Sequence, residues 1–141
     1  MSDYKIMDLE KSVPSRLNES DVVYALLNKT VDSGSLMALK EVTGISGEVL
    51  SGWLHLTPKT LRSYLKRKSG LSEPVGELVL LLTDLFRHGA VVFGSVKDFE
   101  VWLGRENSML DGLKPADMLG SVSGIRLVDG RLYGIEYGDN V

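Results

Sequence analysis

The residues of this 141-residue chain best suited to a chemical task are the cations of KTLRSYLKRK, residues 59–68. Five of these ten side chains are Lys or Arg and none is acidic, although the whole chain has a formal net charge of −3. Closely spaced cations neutralise phosphates, and Thr, Ser and Lys near a helix start reach base edges in a major groove. The segment therefore indicates DNA binding. A solvated basic helix face without a partner is the simpler alternative.

The apolar residues of this segment show how it would be presented. Leu61, Tyr64 and Leu65 share one helical face and are predicted to pack inward, which leaves short polar and long cationic side chains outside. A short helix is predicted just before it, and a turn of three to four residues joins the two, as in a helix-turn-helix. The predicted DNA contacts are Thr57, Lys59, Thr60, Arg62, Ser63, Lys66 and Arg67.

Catalysis and metal binding are not indicated by the remaining side chains. The chain has no cysteine, which excludes thiol catalysis and thiolate metal sites, and its two histidines make a poor zinc set. His55 lies beside the predicted turn and is expected to be structural. His88 is expected to end a long helix, where a cation suits the helix dipole. No nucleophile, base and orienting group occur together, so we predict no enzyme, no cofactor and no metal site.

The elements that position these residues are predicted to be helices. Thr57 as N-cap followed by Pro58 is the clearest start signal, because proline lacks only a donor that would be unpaired there. Apolar residues from Val75 to Phe93 recur at helical spacing and predict one long buried helix, while Phe99 and Trp102 are expected to be core anchors. Helix starts are predicted at Ser20 or Asp21, Leu36, Ser46, Thr57, Ser72, Ser95 and Pro115.

The last segment, GIRLVDGRLYGIEYG, supports two structures almost equally. Asp129-Gly130 between alternating residues is a strong hairpin signal. A helical face is formed instead by Ile125, Val128, Leu132 and Ile135, spaced three, four and three apart. A helix would leave four other residues among its more exposed positions: Arg126, Asp129, Tyr133 and Tyr137. Exposed Tyr and Arg are typical of interaction surfaces.

Residues 91–138 resemble the toxin-binding domain of the Xre/MbcA/ParS antitoxin family. The matching positions are Phe93, Gly94, Trp102, Leu103, Asn107, Leu110, Gly112, Pro115, Asp117, Leu119, Gly124, Val128, Leu132, Ile135 and Gly138. Glu106 and Asp111 depart from the pattern, where Pro and Gly are frequent, so the loop that contains them is expected to differ. The predicted helix-turn-helix and the leucine-rich helix occur upstream in the family's order, which extends the resemblance to about residues 35–140.

The resemblance implies an antitoxin of a type II toxin–antitoxin system, encoded beside a RES-domain toxin that attacks NAD or transfers its ADP-ribose. In this family the C-terminal domain obstructs the toxin's active site, members dimerise and bind their own operator, and the last segment is helical. We therefore expect an all-α chain: an arm over 1–19, an Xre-like helix-turn-helix domain over 20–71, and a dimerisation and toxin-binding domain over 72–141. The predicted toxin contacts are Arg126, Asp129, Tyr133, Tyr137 and Asp139.

The distribution of charge agrees with two different partners. Residues 69–141 have an excess of acidic side chains, which repels DNA and complements the basic clefts that commonly bind nucleotides. A cytoplasmic location is expected, because the first residues lack the apolar stretch of a secretory signal and the longest apolar run, Leu78 to Leu82, is too short for a membrane span. The alternatives are a repressor without a toxin partner and a protein-binding module that no longer binds DNA.

Overall fold

The structure, a computed structural model, describes residues 18–28, 31–67 and 70–138. Seven α-helices and two short 3₁₀ turns, but no β-strand, occur within these ranges, so the predicted all-α class is confirmed. The helices are α1 (Glu19–Leu27), α2 (Ser33–Val42), α3 (Gly47–Leu54), α4 (Pro58–Lys66), α5 (Glu73–Phe93), α6 (Val96–Leu103) and α7 (Val122–Glu136). The 3₁₀ turns, Ser108–Leu110 and Pro115–Met118, lie between α6 and α7.

Local caps fix most of the helix starts where the sequence predicts them. Thr57, Ser46 and Ser95 each accept a hydrogen bond from the backbone N–H three residues on. The predicted start of α1 is wrong, because Asn18 is its N-cap and exchanges hydrogen bonds with Asp21 in a capping box. Residues 1–17 of the predicted arm of residues 1–19 lie outside the described residues. The last two positions of the predicted arm, 18 and 19, are the N-cap and the first residue of α1.

Helix α5 is the centre of the fold, and most of its residues from Val75 to Ala90 are buried. Helices α6 and α7 pack against it, as do α1, α2 and α3 of the N-terminal half. The Phe86 ring of α5 contacts the Phe99 ring of α6 edge to face, with centroids 5.1 Å apart. The centroid of the Trp53 ring of α3 lies 6.3 Å from that of Phe86. One aromatic cluster therefore joins both halves of the chain, and the prediction of Phe99 and Trp102 as core anchors is confirmed.

The segment that supported either a hairpin or a helix is the helix α7. Ser121 caps it by accepting a hydrogen bond from the Gly124 N–H at 3.0 Å. Val128 and Leu132 are both fully buried, as the helical spacing predicts, whereas a hairpin that turns at Asp129-Gly130 would place these two residues on opposite faces. Burial against α5 and the 3₁₀ turn Pro115–Met118 gives the helix an apolar contact that outweighs its glycines.

Among the described residues, no single helix has both the length and the apolar character needed to cross a bilayer. Helices α5 and α6 satisfy that test only when joined, and they are bent by 101° at their junction. The bend lies at Gly94, whose φ of 90° is in the left-handed region that glycine adopts without strain. The sharp turn brings the α6 aromatic residues back onto α5.

We predict that Gly89→Ala destabilises the fold by about 1–3 kcal/mol, because a Cβ at Gly89 would overlap the ring of Phe99 on the neighbouring helix. Gly130→Ala is the matched control, since it changes a helical glycine of α7 that has open space around its Cβ position. That variant is expected to gain about 1 kcal/mol of helix propensity. Urea unfolding of both variants measures the difference, and equal stabilities would contradict the close α5–α6 packing.

Candidate functional site

The basic helix α4 presents its cations to solvent. Leu61 is 2 % exposed, and Tyr64 and Leu65 are partly buried against the core, so the predicted inward face is confirmed. Of the predicted DNA contacts, Ser63 is half-buried and the others are exposed: Thr57, Lys59, Thr60, Arg62, Lys66 and Arg67. The helix therefore offers a continuous polar and cationic surface.

The contacts within α4 differentiate the predicted residues. The Thr57 hydroxyl accepts from the Thr60 N–H at 3.1 Å and donates to the Thr60 Oγ1 at 2.9 Å, so it is engaged in capping. Arg62 lines a groove of about 210 Å³ together with Lys40 of α2 and Glu48 of α3. Lys59 and Lys66 are exposed near the two ends of α4.

The turn before α4 is attached to the chain that precedes α7. His55 adopts a left-handed conformation with φ of 57°, and its Nε2–H donates to the carbonyl oxygen of Gly120 at 2.6 Å. The Trp53 Nε1–H donates to the carbonyl oxygen of Ala116 at 3.0 Å. The structural role predicted for His55 is therefore confirmed, and its partner is 65 residues away in sequence.

The loop between α6 and α7 is held by its own backbone around a buried asparagine. The Asn107 side-chain oxygen accepts from the Met109 N–H at 2.9 Å, and the Asn107 backbone N–H donates to the Leu113 carbonyl at 3.0 Å. Asp111 has φ of 56°, and aspartate is one of the few residues besides glycine that adopt this left-handed region at modest cost. Asp111 therefore departs from the family pattern in residue type. Its backbone nevertheless has the left-handed conformation that glycine favours.

Helix α7 has one face on the core and another in solvent. Tyr137 is 81 % exposed and Tyr133 is 40 % exposed. Arg126 is exposed on the same side, so three of the five predicted toxin contacts share a surface. Leu127, which sequence reasoning missed, is an exposed apolar residue beside Arg126. Asp139, the fifth predicted contact, lies outside the described residues.

Asp129 is placed differently from these three side chains. It is only partly exposed, and its Oδ1 lies 2.6 Å from the Nδ1 of His88 on α5. The other ring nitrogen of His88, Nε2, lies 3.0 Å from Oε1 of Glu136. The prediction that His88 ends its helix is wrong, because α5 continues to Phe93 and the imidazole is buried against α7.

This carboxylate–imidazole arrangement is not a metal site. Asp129 and Glu136 lie on opposite ring nitrogens of His88, so the three side chains do not converge on one point. Within the described ranges no other group of three or more His, Asp or Glu side chains is arranged to hold a metal ion. A signal for the cluster was present in the sequence, because Asp129, Tyr133 and Glu136 are spaced four and three apart on one helical stripe.

An open groove of about 430 Å³ lies beside the exposed face of α7. Apolar and charged side chains from α1, α5 and α7 line it. The lining residues are Asn18, Val22, Leu81, Asp84, Leu85, Ile125, Arg126 and Asp129. The face of α7 and this groove therefore form one continuous surface.

Residues 88–138 match the model of a known family, the antitoxin Xre/MbcA/ParS C-terminal toxin-binding domain. Over this segment the chain is similar to toxin-binding domains of the Xre/MbcA/ParS antitoxin type. The match begins at His88 and ends at Gly138, so it contains α6, the loop around Asn107 and all of α7. No curated protein matches the chain. The resemblance predicted from the sequence is confirmed over residues 91–138, and it supports an antitoxin role with a toxin as partner.

We predict that Trp53→Phe lowers the free energy of unfolding by about 1–3 kcal/mol, because the indole N–H that satisfies the Ala116 carbonyl is removed while an aromatic ring remains. Thermal and urea unfolding measure the loss. The exposed Tyr24→Phe is the control, since that ring lies on α1 away from this contact. A Trp53→Phe variant as stable as the control would show that the bond between α3 and the chain before α7 contributes nothing.

Proposed function

We propose that this protein is an antitoxin that neutralises a RES-domain toxin and represses its own operon. The observation that carries the proposal is the toxin-binding domain match over residues 88–138, which includes the whole exposed face of α7. The antitoxin would bind through that face and occlude the toxin's NAD-directed active site, with no chemistry by this chain. DNA binding would be the task of α4, in residues 20–71 as a helix-turn-helix domain.

The toxin contact is supported by the residue types on the α7 face. Tyr133, Tyr137 and Arg126 are exposed at helical spacing, and Tyr and Arg carry much of the binding energy in protein interfaces. Leu127 adds apolar surface next to them. The core packing of α7 uses its other face, so substitutions at these exposed positions test binding with little effect on folding.

Charge supports the occlusion of a nucleotide site in particular. Residues 69–141 contain 11 acidic and 6 basic side chains in the sequence. An enzyme that binds NAD must accommodate two phosphates, and a cleft suited to them attracts an acidic protein surface. The mechanism would therefore combine steric blockage with electrostatic complementarity.

Alanine substitution tests this surface. Tyr137→Ala and Arg126→Ala are expected to weaken toxin binding, with at least one of them losing about 2 kcal/mol, or roughly thirtyfold in Kd. Tyr24→Ala is the matched control, because Tyr24 is 69 % exposed but lies on α1 outside the matched domain. The readouts are the Kd for the purified product of the adjacent gene and the inhibition of its NAD consumption.

Either of two results would contradict the toxin-binding proposal. In the first, the product of the adjacent gene does not co-purify with this chain, or it does not consume NAD once this chain is removed from the complex. Alternatively, toxin neutralisation would remain intact in all the alanine variants of the predicted contacts, which are Arg126, Asp129, Tyr133, Tyr137 and Asp139.

Operator binding is supported by the exposure and spacing of the α4 cations. Lys59 lies in the first turn, where a recognition helix contacts bases, and Lys66 lies in the last. The protein would act as a homodimer in the cytoplasm, with two copies of α4 reading half-sites about 34–36 Å apart. The short connection from α3 to α4, His55 to Thr57, is of the length that a helix-turn-helix uses.

We predict that Lys59→Ala and Lys66→Ala weaken operator binding and flatten its dependence on salt. Each lost phosphate contact reduces the slope of log Kobs against log salt concentration by about 0.9. Lys97→Ala on α6 is the control, because it removes an exposed cation from another part of the surface. Electrophoretic mobility shifts at several salt concentrations measure both quantities. Unchanged operator affinity in the Lys59→Ala, Lys66→Ala double variant would remove DNA binding from the proposed function.

A further inference from the structure

The buried imidazole behind α7 contacts three side chains of that helix. His88 is 5 % exposed, its Nδ1 lies 2.6 Å from Asp129 Oδ1, and its Nε2 lies 3.0 Å from Glu136 Oε1. The His88 ring is also 4.4 Å from the Tyr133 ring, centroid to centroid, at an interplanar angle of 52°. We call these four residues the His88 cluster.

The spacing of the three partners makes this contact unusually restrictive for α7. Asp129, Tyr133 and Glu136 lie on one stripe that extends over two helical turns, about 10 Å. A single side chain of α5 touches the start, the middle and the end of that stripe. Rotation of α7 about its axis, or sliding along α5, would break at least one of the two hydrogen bonds.

The two contacts also bear on the protonation state of the imidazole, because each ring nitrogen faces a carboxylate oxygen. Ionised carboxylates only accept hydrogen bonds, and a neutral imidazole has a single N–H to donate. Both contacts are satisfied when His88 is an imidazolium with an N–H on each nitrogen. Charge-assisted hydrogen bonds of this kind are stronger than neutral ones, and burial protects them from competing water.

The apolar packing of α7 does not depend on this cluster. Val128 and Leu132 are fully buried and Ile125 is 3 % exposed, so the inner face of α7 is secured by hydrophobic contact. Hydrophobic contact is not directional, whereas hydrogen bonds to fixed atoms are. The cluster therefore adds orientation to a helix that is already packed.

Tyr133 connects the cluster to the exposed surface. One part of its ring lies against His88, and 40 % of the residue is exposed. Tyr137 follows one turn later on the solvent side. We propose that His88 is a positioning residue for toxin binding, which, as an imidazolium bonded to Asp129 and Glu136, fixes α7 and the Tyr133 ring in the orientation that the toxin recognises. This inference rests on the proposed toxin-binding function of α7.

The first test substitutes the imidazole with a side chain that cannot bridge both carboxylates. His88→Gln is expected to weaken binding to the purified product of the adjacent gene by at least tenfold, with unchanged affinity for operator DNA. Thr83→Val is the control for lost stability, because Thr83 is a buried hydroxyl of the same helix that bonds the Val79 carbonyl outside the cluster. Binding is measured well below the unfolding temperature of each variant.

Conservative variants separate positioning from a direct contact. Asp129→Asn retains an oxygen that accepts from the His88 N–H, so it is expected to bind the toxin more tightly than Asp129→Ala does. In the His88→Gln background, where the bond is already lost, the two Asp129 variants are expected to bind equally. A difference that persists in that background would show that Asp129 also contacts the toxin directly, whereas equal toxin binding by the two Asp129 variants when His88 is present would overturn the positioning role.

The imidazole itself supplies a measurement that needs no toxin. Nitrogen NMR of the full chain labelled at histidine is expected to show both His88 ring nitrogens protonated at pH 7, because each has a carboxylate acceptor. A neutral tautomer would overturn the proposal.

The outcomes distinguish this inference from the function on which it rests. If Tyr137→Ala weakens toxin binding while His88→Gln binds like the wild type, the positioning role alone is overturned. If the wild-type chain does not bind the adjacent gene product, the toxin-binding function is overturned, and with it the role of His88. The same conclusion follows if the Arg126→Ala, Tyr137→Ala and His88→Gln variants all bind that product as tightly as the wild type does. A tenfold loss in His88→Gln without a comparable loss in Thr83→Val supports the proposal.

Discussion

The packing of α6 across α5 is the constraint on which the rest of this structure depends. The Phe99 ring occupies the space where any side chain at position 89 would begin, so the ring packs directly on the α5 backbone. Phe86 meets the same ring from α5, and Trp53 reaches Phe86 from α3. Because close packing tolerates neither a larger residue nor a void, this contact fixes the scaffold for both ends of the chain.

A few polar contacts join the two candidate surfaces to that scaffold. Trp53 and His55 donate to carbonyls before α7, and Glu100 of α6 accepts from the Gly44 N–H after α2 at 2.6 Å. These bonds are directional, so they set the orientation of elements that the apolar core only holds together. The helix proposed to bind DNA, α4, begins three residues after His55. The His55 side chain is anchored next to the start of α7, the helix proposed to bind the toxin.

Helix α7 is one amphipathic element that has a packing face and, as proposed, a recognition face. Its inner face is apolar, its outer face presents Arg126 and Tyr137, and the stripe between them carries the partners of His88. Recognition by exposed aromatic side chains requires that they be held still, since each rotamer fixed on binding costs free energy. The ionic contacts along the flank of the helix reduce that cost by fixing its orientation in advance.

The sequence by itself determined the local features of this protein. Caps such as Thr57-Pro58, the inward face of α4 and the core roles of Phe99 and Trp102 are encoded by neighbouring residues, so the pattern sufficed. The resemblance over residues 91–138 likewise needed only residues in register. Periodicity alone left a hairpin and a helix equally favoured for the last segment, and only the resemblance indicated a helix. The tertiary structure supplies the physical reason, because α5 provides the surface that buries Val128 and Leu132 of α7. Tertiary structure alone decided the place of His88 between two carboxylates 41 and 48 residues away, since the spacing of Asp129 and Glu136 on α7 does not show which side chain of α5 they meet.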